Sequence, residues 1–527
     1  MTDLRLTRHG YRYFPYELEL GRREVHKLLD ETAIESDFGF IAKLNGHSPE
    51  LLKRFTYVRS ATLPDGTVVL TDQARLEDSA RRDGGLIPDI GPHRQSTRYS
   101  AHGLHEYRGK FNPQVVRAVG NLLGLPEGAW VVDPFCGSGT TLLESAHCGW
   151  NCIGVDMNPL AVLISNAKIQ AVNTPTDLLV REVTTFTKAL ERKVSGLQFD
   201  SSWDHRIENK LATNGWESNL PNFEYLQNWF PRSVLVQFAA VLQAIEQHET
   251  IRDFLRVILS DLVRAVSLQD PGDLRIRRRK EPRANYPLIP MMINGVAAKA
   301  STIVRAYSTQ KPRGRQHAFL ADSRVDLRLI LGQTGAPDLL DAAITSPPYA
   351  TALPYVDTQR LSLALLGLLQ AADVMALDSQ LVGTREVTQR HRERLEREIV
   401  GAQGIPDGVR TLCNRMLKAV GSSATDGFRR RNMPALVLQY FQGMANALSS
   451  VAQVVKPGGH FVLVVGRNRT VLGGEEFTVD TPKHLIDTGN MTGWSRESQL
   501  ELETYQRFDV HQRNSIRTES MVILRRN

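Results

Sequence analysis

Two short stretches of this chain combine residue types that could do chemistry. The first runs Asp133-Pro-Phe-Cys-Gly137-Ser-Gly139-Thr-Thr and places two glycines in a turn. Glycine lets a backbone pass close beneath a ligand, where a side chain would collide. The second, Thr345-Ser-Pro-Pro-Tyr349, lies far downstream and joins a hydroxyl, a proline pair and an aromatic ring. Both stretches are candidate functional segments.

The elements around the first stretch follow from its apolar pattern. Residues 130–132 are a short apolar run, typical of a buried parallel strand, and residues 140–146 have a helical pattern. A second strand over residues 152–155 ends in Asp156, 17 residues after Gly139. A carboxylate at about that offset can accept hydrogen bonds from ribose hydroxyls. The pattern predicts strand, glycine-rich turn, helix and strand, as in nucleotide-binding α/β folds.

The first stretch alone leaves several interpretations open. A glycine-rich turn is common in α/β proteins, and this one lacks the third glycine of the dinucleotide fingerprint. No Gly-Lys-Ser/Thr follows it, so it is not a P-loop. An NAD-binding oxidoreductase would also need a hydride-site residue, and none is evident.

The two stretches together closely resemble the S-adenosylmethionine-dependent DNA methyltransferases that modify exocyclic amino groups. The resemblance covers residues 105–166 and 317–366. It implies an α/β, Rossmann-like class I methyltransferase fold: a doubly wound, mostly parallel seven-stranded sheet, here with a large helical insertion. It also implies S-adenosyl-L-methionine as cofactor and double-stranded DNA as partner, with the target base flipped out of the duplex. A restriction or phage-defence partner is a further possibility under this resemblance.

The resemblance also implies roles for particular residues in cofactor binding. Asp156 would contact the ribose, and Asp322, which ends a predicted strand over residues 317–321, would face the adenine. Lys110 and Phe111 would form a wall at the methionine end of the cofactor, although a simple turn at the start of a helix explains them equally well. The cofactor-binding candidates are Lys110, Phe111, Asp133, Phe135, Gly137, Gly139, Thr140, Asp156 and Asp322.

The second stretch suits methylation of an amine whose lone pair is delocalised into an aromatic ring. Such an amine needs acceptors that draw its hydrogens out of the ring plane. The Ser346 hydroxyl and the Pro347 carbonyl can accept, and with Pro348 the proline pair fixes the carbonyl direction. Tyr349 can stack on the base. In-line methyl displacement needs mainly alignment, so we predict no metal and no covalent intermediate.

The sequence also bears on which base is modified and on which class of enzyme this is. Methylation at carbon-5 of cytosine needs a cysteine nucleophile, usually after proline, and the chain has no Pro-Cys dipeptide. Ser-Pro-Pro-Tyr enzymes act mostly on N4 of cytosine, and those with Asp or Asn before Pro-Pro-Tyr mostly on N6 of adenine. Ser346 therefore favours N4 of cytosine, with N6 of adenine as the alternative. An RNA guanine-N2 methyltransferase and a non-catalytic DNA-binding module are further alternatives.

The chain divides into four predicted regions. Residues 1–95 are an N-terminal extension of unknown role, 96–170 the cofactor-binding half, 171–315 a helical insertion and 316–527 the catalytic half. In many cytosine-amine enzymes the Pro-Pro motif precedes the glycine-rich motif, whereas here it follows, which leaves the target-recognition region open. We predict it in the insertion. A basic run there is either a solvated face or a phosphate contact, through Arg275, Arg277, Arg278, Arg279 and Lys280.

Composition permits these interpretations without proving them. The net charge of +7 and a pI near 9.2 are compatible with a polyanionic partner. No apolar run reaches the roughly 18 residues of a membrane span, and the first residues lack the apolar core of a signal peptide. Four cysteines in 527 residues argue against a disulfide framework. We therefore expect a protein of the reducing cytoplasm.

Overall fold

The computed structural model describes most of the chain. The described residues are 4–29, 33–43, 48–81, 95–107, 109–270, 277–279, 285–325, 327–350, 356–401, 403–421, 426–503 and 518–527. Two residues of the predicted basic run, Arg275 and Lys280, lie outside these ranges. None of the helices in the described part is long and apolar enough to cross a membrane, and its four cysteines are free thiols.

The described residues up to position 81 include a small sheet with a core of its own. Five antiparallel strands lie in the order β2-β3-β1-β4-β5. They are β1 (Leu4–Arg8), β2 (Ile34–Ser36), β3 (Gly39–Ala42), β4 (Val58–Thr62) and β5 (Val68–Leu70), with helices α1 (Pro15–Leu28) and α2 (Asp72–Arg81). The buried carboxylate of Glu24 accepts hydrogen bonds from Thr56 N at 3.0 Å and from Asn121 Nδ2 at 2.6 Å. Glu24 therefore joins this unit to the rest of the protein.

A seven-stranded sheet forms the centre of the protein. Its strands are β6 (Trp130–Asp133), β7 (Asn151–Asp156), β8 (Gln316–Leu320), β9 (Leu340–Thr345), β10 (Val455–Gly466), β13 (Trp494–Glu503) and β14 (Thr518–Arg526). They lie in the order β13-β14-β10-β9-β6-β7-β8. Strands β6 to β10 are parallel, and β14 is antiparallel to both of its neighbours. This sheet confirms the predicted mostly parallel, doubly wound fold.

Alternating strand residues supply two separate cores, one on each face of the sheet. Val131 packs into one core and Val132 into the other, as the strand period of two requires. Two further strands, β11 (Asn468–Leu472) and β12 (Glu475–Val479), form a separate hairpin.

Helices cover both faces of the sheet. The first core includes α3 (Pro113–Leu122), α4 (Thr140–Cys148), α5 (Pro159–Asn173), α6 (Thr176–Val194), α7 (Trp203–Leu211), α8 (Phe223–Leu226), α9 (Arg232–Ile245), α10 (Arg252–Val266), α11 (Leu288–Thr309), α13 (Arg360–Leu365) and α14 (Val374–Gln380). The second includes α12 (Leu327–Leu331), α15 (Gln389–Glu398), α16 (Asp407–Gly421), α18 (Met433–Ala452) and α19 (Thr481–Met491), and α17 (Phe428–Arg431) lies beside it. The insertion helices α6 to α11 therefore share a core with the sheet.

Strand β13 was not predicted from the sequence. The sequence of residues 508–516 and 521–524 predicts a closing antiparallel hairpin, and the first of these segments lies outside the described residues. Strand β14 pairs with β13 on one side, with Leu500 opposite Met521, and with β10 on the other. The sequence did not identify β13 as a strand, because exposed polar residues dominate it and leave no continuous apolar run.

Candidate functional site

A crevice opens where the carboxyl ends of β6, β7, β8 and β9 meet. The order of the strands reverses between β6 and β9, and open α/β sheets bind ligands at such a point. The crevice brings together residues from both motifs. Those that were predicted and that line it are Lys110, Phe111, Asp133, Phe135, Gly137, Thr140, Asp156, Asp322, Ser346, Pro347, Pro348 and Tyr349.

The two glycines of the turn have different surroundings. Gly137 lines the crevice at φ +49°, and a Cβ there would lie 3.3 Å from the Tyr107 ring. Gly139 has φ +72° and is buried below the crevice, where a Cβ would lie 2.8 Å from Ser165 Cβ. Gly139 therefore shapes the turn that starts α4 and does not line the crevice.

Helix α5 supports the turn from below. The Lys168 amine is fully buried and donates to Ser138 O at 2.5 Å, and Ser165 Oγ donates to Gly137 O at 2.9 Å. Burial lowers the pKa of Lys168 well below its usual value. These contacts engage two carbonyls of the turn. Sequence reasoning missed Lys168, whose only signal is that it is the one charged residue of α5.

Two carboxylates face the crevice at the ends of β6 and β7: Asp133 is buried and Asp156 is half-buried. Asp156 accepts from Gly137 N at 2.9 Å and from Asn158 N at 2.8 Å. Asp133 accepts from Thr345 Oγ1 at 2.6 Å, which joins the glycine-rich turn to the Pro-Pro motif. Burial raises the pKa of both carboxyl groups to about 6. Both groups therefore change charge just below neutral pH.

The third carboxylate, Asp322, follows β8. Its Oδ2 accepts from Arg324 Nη2 at 2.6 Å. Burial alone would raise the pKa of Asp322, but the hydrogen bonds from Arg324 outweigh it and lower the pKa. Asp322 is therefore ionised at neutral pH, with one face held by Arg324.

The Pro-Pro motif follows β9 and contacts strands β10 and β14. Ser346 Oγ donates to Val464 O at 3.1 Å. Because a hydroxyl has one hydrogen and two lone pairs, the Ser346 oxygen is left to accept. The Tyr349 hydroxyl donates to the Glu519 carboxylate, and burial raises the pKa of Glu519. Neither partner could be predicted from the motif, since both come from distant segments.

The wall at residues 110 and 111 differs in detail from the expectation. Lys110 Nζ donates to Thr97 O at 3.2 Å and to His102 O at 2.8 Å. Burial lowers the pKa of Lys110 to about 7. Because protein carbonyls hold its amine, Lys110 offers the crevice its aliphatic stem, beside Phe111.

The described part of the basic run lies outside the crevice. Arg277 and Arg278 are exposed. Arg279 is half-buried, and its Nε donates to Gln269 O at 3.2 Å. Only two of these three arginines therefore present an exposed side chain.

Several lining residues were not predicted. Met157 and Asn158 directly follow the predicted strand that ends at Asp156, so their position was a usable signal. Leu381 and Val382 come from a region without a motif, and the sequence carries no signal for them. The other unpredicted lining residues are Tyr107, Gly109, Pro134, Cys136, Ser138, Ala321 and Ser323.

Strand order, switch-point crevice and glycine-rich turn define a class I methyltransferase fold. Residues 96–167 match the N6/N4 family model described as DNA methylase. The Type II methyltransferase M.MvaI of Kocuria varians is 23% identical over 76% of this chain and 84% of its own length. M.BsoBI of Geobacillus stearothermophilus, also a Type II methyltransferase, is 25% identical over 51% of this chain and 53% of its own length. These findings confirm the resemblance to the N4/N6 DNA amino-methyltransferases.

A relative of a different kind matches a shorter stretch. The tRNA (guanine(10)-N2)-dimethyltransferase of Methanocaldococcus jannaschii is 27% identical over 27% of this chain and 36% of its own length. Over this segment the chain is thus similar to an RNA-modifying enzyme as well.

Proposed function

We propose that this chain is an S-adenosylmethionine-dependent methyltransferase that modifies an exocyclic amine in double-stranded DNA, at N4 of cytosine. The observation that carries the proposal is that Ser346 lines the crevice and donates its hydroxyl hydrogen to Val464 O, which leaves its oxygen free to accept. The relatives described as Type II methyltransferases support a DNA substrate and a restriction–modification setting.

The crevice has features that suit the cofactor. Gly137 lines it with no side chain, so a ligand can approach the turn closely. Asp156 can accept from ribose hydroxyls, Asp322 can face the adenine, and Phe111 can cover the methionine end. Bound S-adenosylmethionine would supply a methyl group already activated on a sulfonium.

The residues of the Pro-Pro motif would prepare the amine. Ser346 Oγ and the Pro347 carbonyl would accept its two hydrogens and localise the nitrogen lone pair. Such acceptors act most strongly as charge develops on the nitrogen, so they favour the transition state over the bound base. The Tyr349 ring would stack on the base, and Glu519 would hold the ring through its hydroxyl.

One hydrogen bond joins the Pro-Pro motif, which would hold the base, to the glycine-rich turn, which would hold the cofactor. Thr345 precedes Ser346, and its hydroxyl donates at 2.6 Å to Asp133, at the start of the glycine-rich turn. This bond fixes the acceptor pair relative to the turn. Alignment of this kind is the main requirement of an in-line displacement.

Mass spectrometry of enzymatically digested substrate tests the proposal directly. The purified protein is incubated with S-adenosylmethionine and either double-stranded DNA or total RNA. We expect 4-methylamino-cytosine in the DNA. Methylated adenine would overturn the choice of base, and methylated guanine in RNA with unmodified DNA would overturn the substrate.

Asp156 is predicted to contribute strongly to cofactor affinity. Asp156→Ala removes the ribose acceptor, and losing hydrogen bonds to a charged group costs roughly 1.5–3 kcal/mol. We expect calorimetry to show S-adenosylmethionine binding at least about ten-fold weaker. Asp156→Asn is the matched variant, because its amide oxygen keeps one acceptor in place, and it should lose less. Unchanged affinity in Asp156→Ala would assign the ribose to another residue.

Cofactor binding is also predicted to depend on pH. The raised pKa values of Asp133 and Asp156 mean that folding favours their protonated forms. Their contribution to stability is therefore fully present below about pH 4 and is lost as the pH rises through about 6. If the ionised carboxylates hold the cofactor, its affinity should instead rise as the pH rises through this range.

Thermal unfolding with and without S-adenosylmethionine measures this dependence. The stabilisation by the cofactor should grow between pH 5 and pH 7, with affinity rising up to about ten-fold per pH unit for each carboxylate that must ionise. Asp156→Asn should flatten the increase. A stabilisation that is constant over this range would contradict a role for the two ionised groups.

The basic run is predicted to contact phosphate. In the double variant Arg277→Ala and Arg278→Ala, the slope of log affinity for DNA against log salt should fall by about 0.9 per lost contact. The control removes two arginines of α1, Arg22 and Arg23, which pair with Glu19. An equal slope in the wild type and the double variant would make the run a solvated face.

A further inference from the structure

The β11–β12 hairpin begins at the edge of the crevice. It follows β10, whose Val464 carbonyl accepts from Ser346. At its first residue, Asn468 Nδ2 donates to the carbonyl of Ala350, the residue after Tyr349. The hairpin is therefore attached directly to the segment that would hold the flipped base.

The hairpin has one anchored face and one open face. Leu472, Phe477 and Val479 are buried in the second core. At the turn, Gly473 approaches α16 so closely that a Cβ would lie 2.4 Å from Ala419 O. This packing fixes the position of the hairpin on the protein.

The open face carries four exposed side chains in two cross-strand pairs. Arg469 lies opposite Thr478, and Val471 lies opposite Glu476. The side chains of Arg469 and Glu476 are 78% and 64% exposed, and their charged atoms are 4.0 Å apart. An exposed pair at this distance contributes little stability, so both groups are available to a partner.

Helix α17 adds positive charge beside this face. Phe428, Arg429, Arg430 and Arg431 are all exposed, and α17 contacts β11. Asp426 joins the two elements, since its Oδ2 accepts from Gly473 N at 2.8 Å and its carbonyl accepts from Arg431 Nε at 2.9 Å. The arginines and the hairpin therefore form one surface, which we name the ribbon surface.

We propose that the ribbon surface is the DNA-reading element, with β11–β12 in the major groove and the α17 arginines on flanking phosphates. The inference rests on the proposed function. The major groove admits a two-stranded β-ribbon. There, Arg469 can donate to guanine, Glu476 can accept from the cytosine amino group, and Val471 and Thr478 can contact a thymine methyl.

The competing position for target recognition is the helical insertion of residues 171–315. Its helices share a core with the sheet. The attachment through Asn468 and Ala350 favours the ribbon surface, because reading a sequence there positions the target base at the Pro-Pro motif. Phosphate contacts would fix the register of the ribbon, and base contacts would carry the specificity.

Two sets of variants separate reading from phosphate binding. Arg469→Ala and Glu476→Gln are assayed on DNA libraries with randomised targets, and the methylated sequences are identified by sequencing. Each should relax the preference at one target position, with discrimination reduced about 5- to 150-fold. The triple variant Arg429→Gln, Arg430→Gln, Arg431→Gln should keep the preference and lower the salt slope of DNA binding by up to about 2.7.

A matched control removes the same charge from the opposite face of the sheet. It replaces three exposed residues of α6 by glutamine: Arg181, Lys188 and Arg192. Its salt slope should equal that of the wild type. Thermal unfolding of every variant checks that the fold is kept, and all substituted side chains are exposed.

The outcomes distinguish this inference from the proposed function. A wild-type protein that methylates no DNA overturns the proposed function and the ribbon surface with it. If the wild type methylates DNA and the Arg469 and Glu476 variants keep its target preference, the ribbon surface is overturned alone. The salt slope of DNA binding could instead change in the α6 control and not in the α17 variant. That result would place DNA on the insertion and would also overturn the ribbon surface.

Discussion

Ser346→Ala is expected to lower kcat about 100-fold while leaving the affinity for S-adenosylmethionine unchanged. A preorganised acceptor or donor that acts on developing charge contributes on the order of 100-fold in rate. Ser346 is preorganised because its hydroxyl is already committed to Val464 O at 3.1 Å. The variant removes an acceptor that is needed most as the amine pyramidalises, so the loss appears in kcat.

Single-turnover kinetics and calorimetry measure the two quantities separately. Ser346→Asn is the matched variant, because its amide oxygen offers an acceptor and the resembled family includes Asn-Pro-Pro-Tyr motifs. It should retain more of the rate than Ser346→Ala. Weaker cofactor binding with an unchanged kcat in Ser346→Ala would make Ser346 a cofactor contact and remove it from the chemical step.

The centre of the fold could be predicted because its signals are local. Strand β6, the glycine-rich turn, α4 and β7 follow one another within residues 130–156, and apolar runs and glycines mark each boundary. The N-terminal sheet had no such signal. Its strands are three to five residues long, and β1 pairs with β4 across some 50 residues of chain. Short strands with distant partners leave little periodicity in a sequence.

In the candidate site, too, local features could be predicted and contacts between distant segments could not. The sequence marked the residues that would touch the cofactor or the base, because motifs carry them. It did not mark the residues that hold them: Lys168 beneath the turn, Glu519 on Tyr349 and Val464 on Ser346. These partners come from segments whose proximity only the folded sheet creates. Sequence reasoning also treated Gly137 and Gly139 alike, whereas the structure separates their roles.

Gly139→Ala is expected to lower the free energy of unfolding by roughly 2–5 kcal/mol. The left-handed φ of +72° costs a residue with a Cβ about 1–2 kcal/mol. The new Cβ would also lie 2.8 Å from Ser165 Cβ and 2.9 Å from Ser165 Cα, and overpacking of a core typically costs about 1–3 kcal/mol. That sum is a large part of the 5–15 kcal/mol that stabilises a typical domain.

Two further glycines separate the cost of the backbone angle from the cost of the steric contact. Gly128 has φ +82° with no atom within 4 Å of a new Cβ, so Gly128→Ala should show the backbone cost alone. Gly137→Ala adds a contact at 3.3 Å with the flexible Tyr107 ring and places a methyl group in the crevice, so it should weaken cofactor binding more than stability. Denaturant unfolding and calorimetry on the three variants give both quantities. Equal losses of stability in Gly139→Ala and Gly128→Ala would mean that the turn relaxes around Ser165, and that position 139 requires glycine only for its backbone angle.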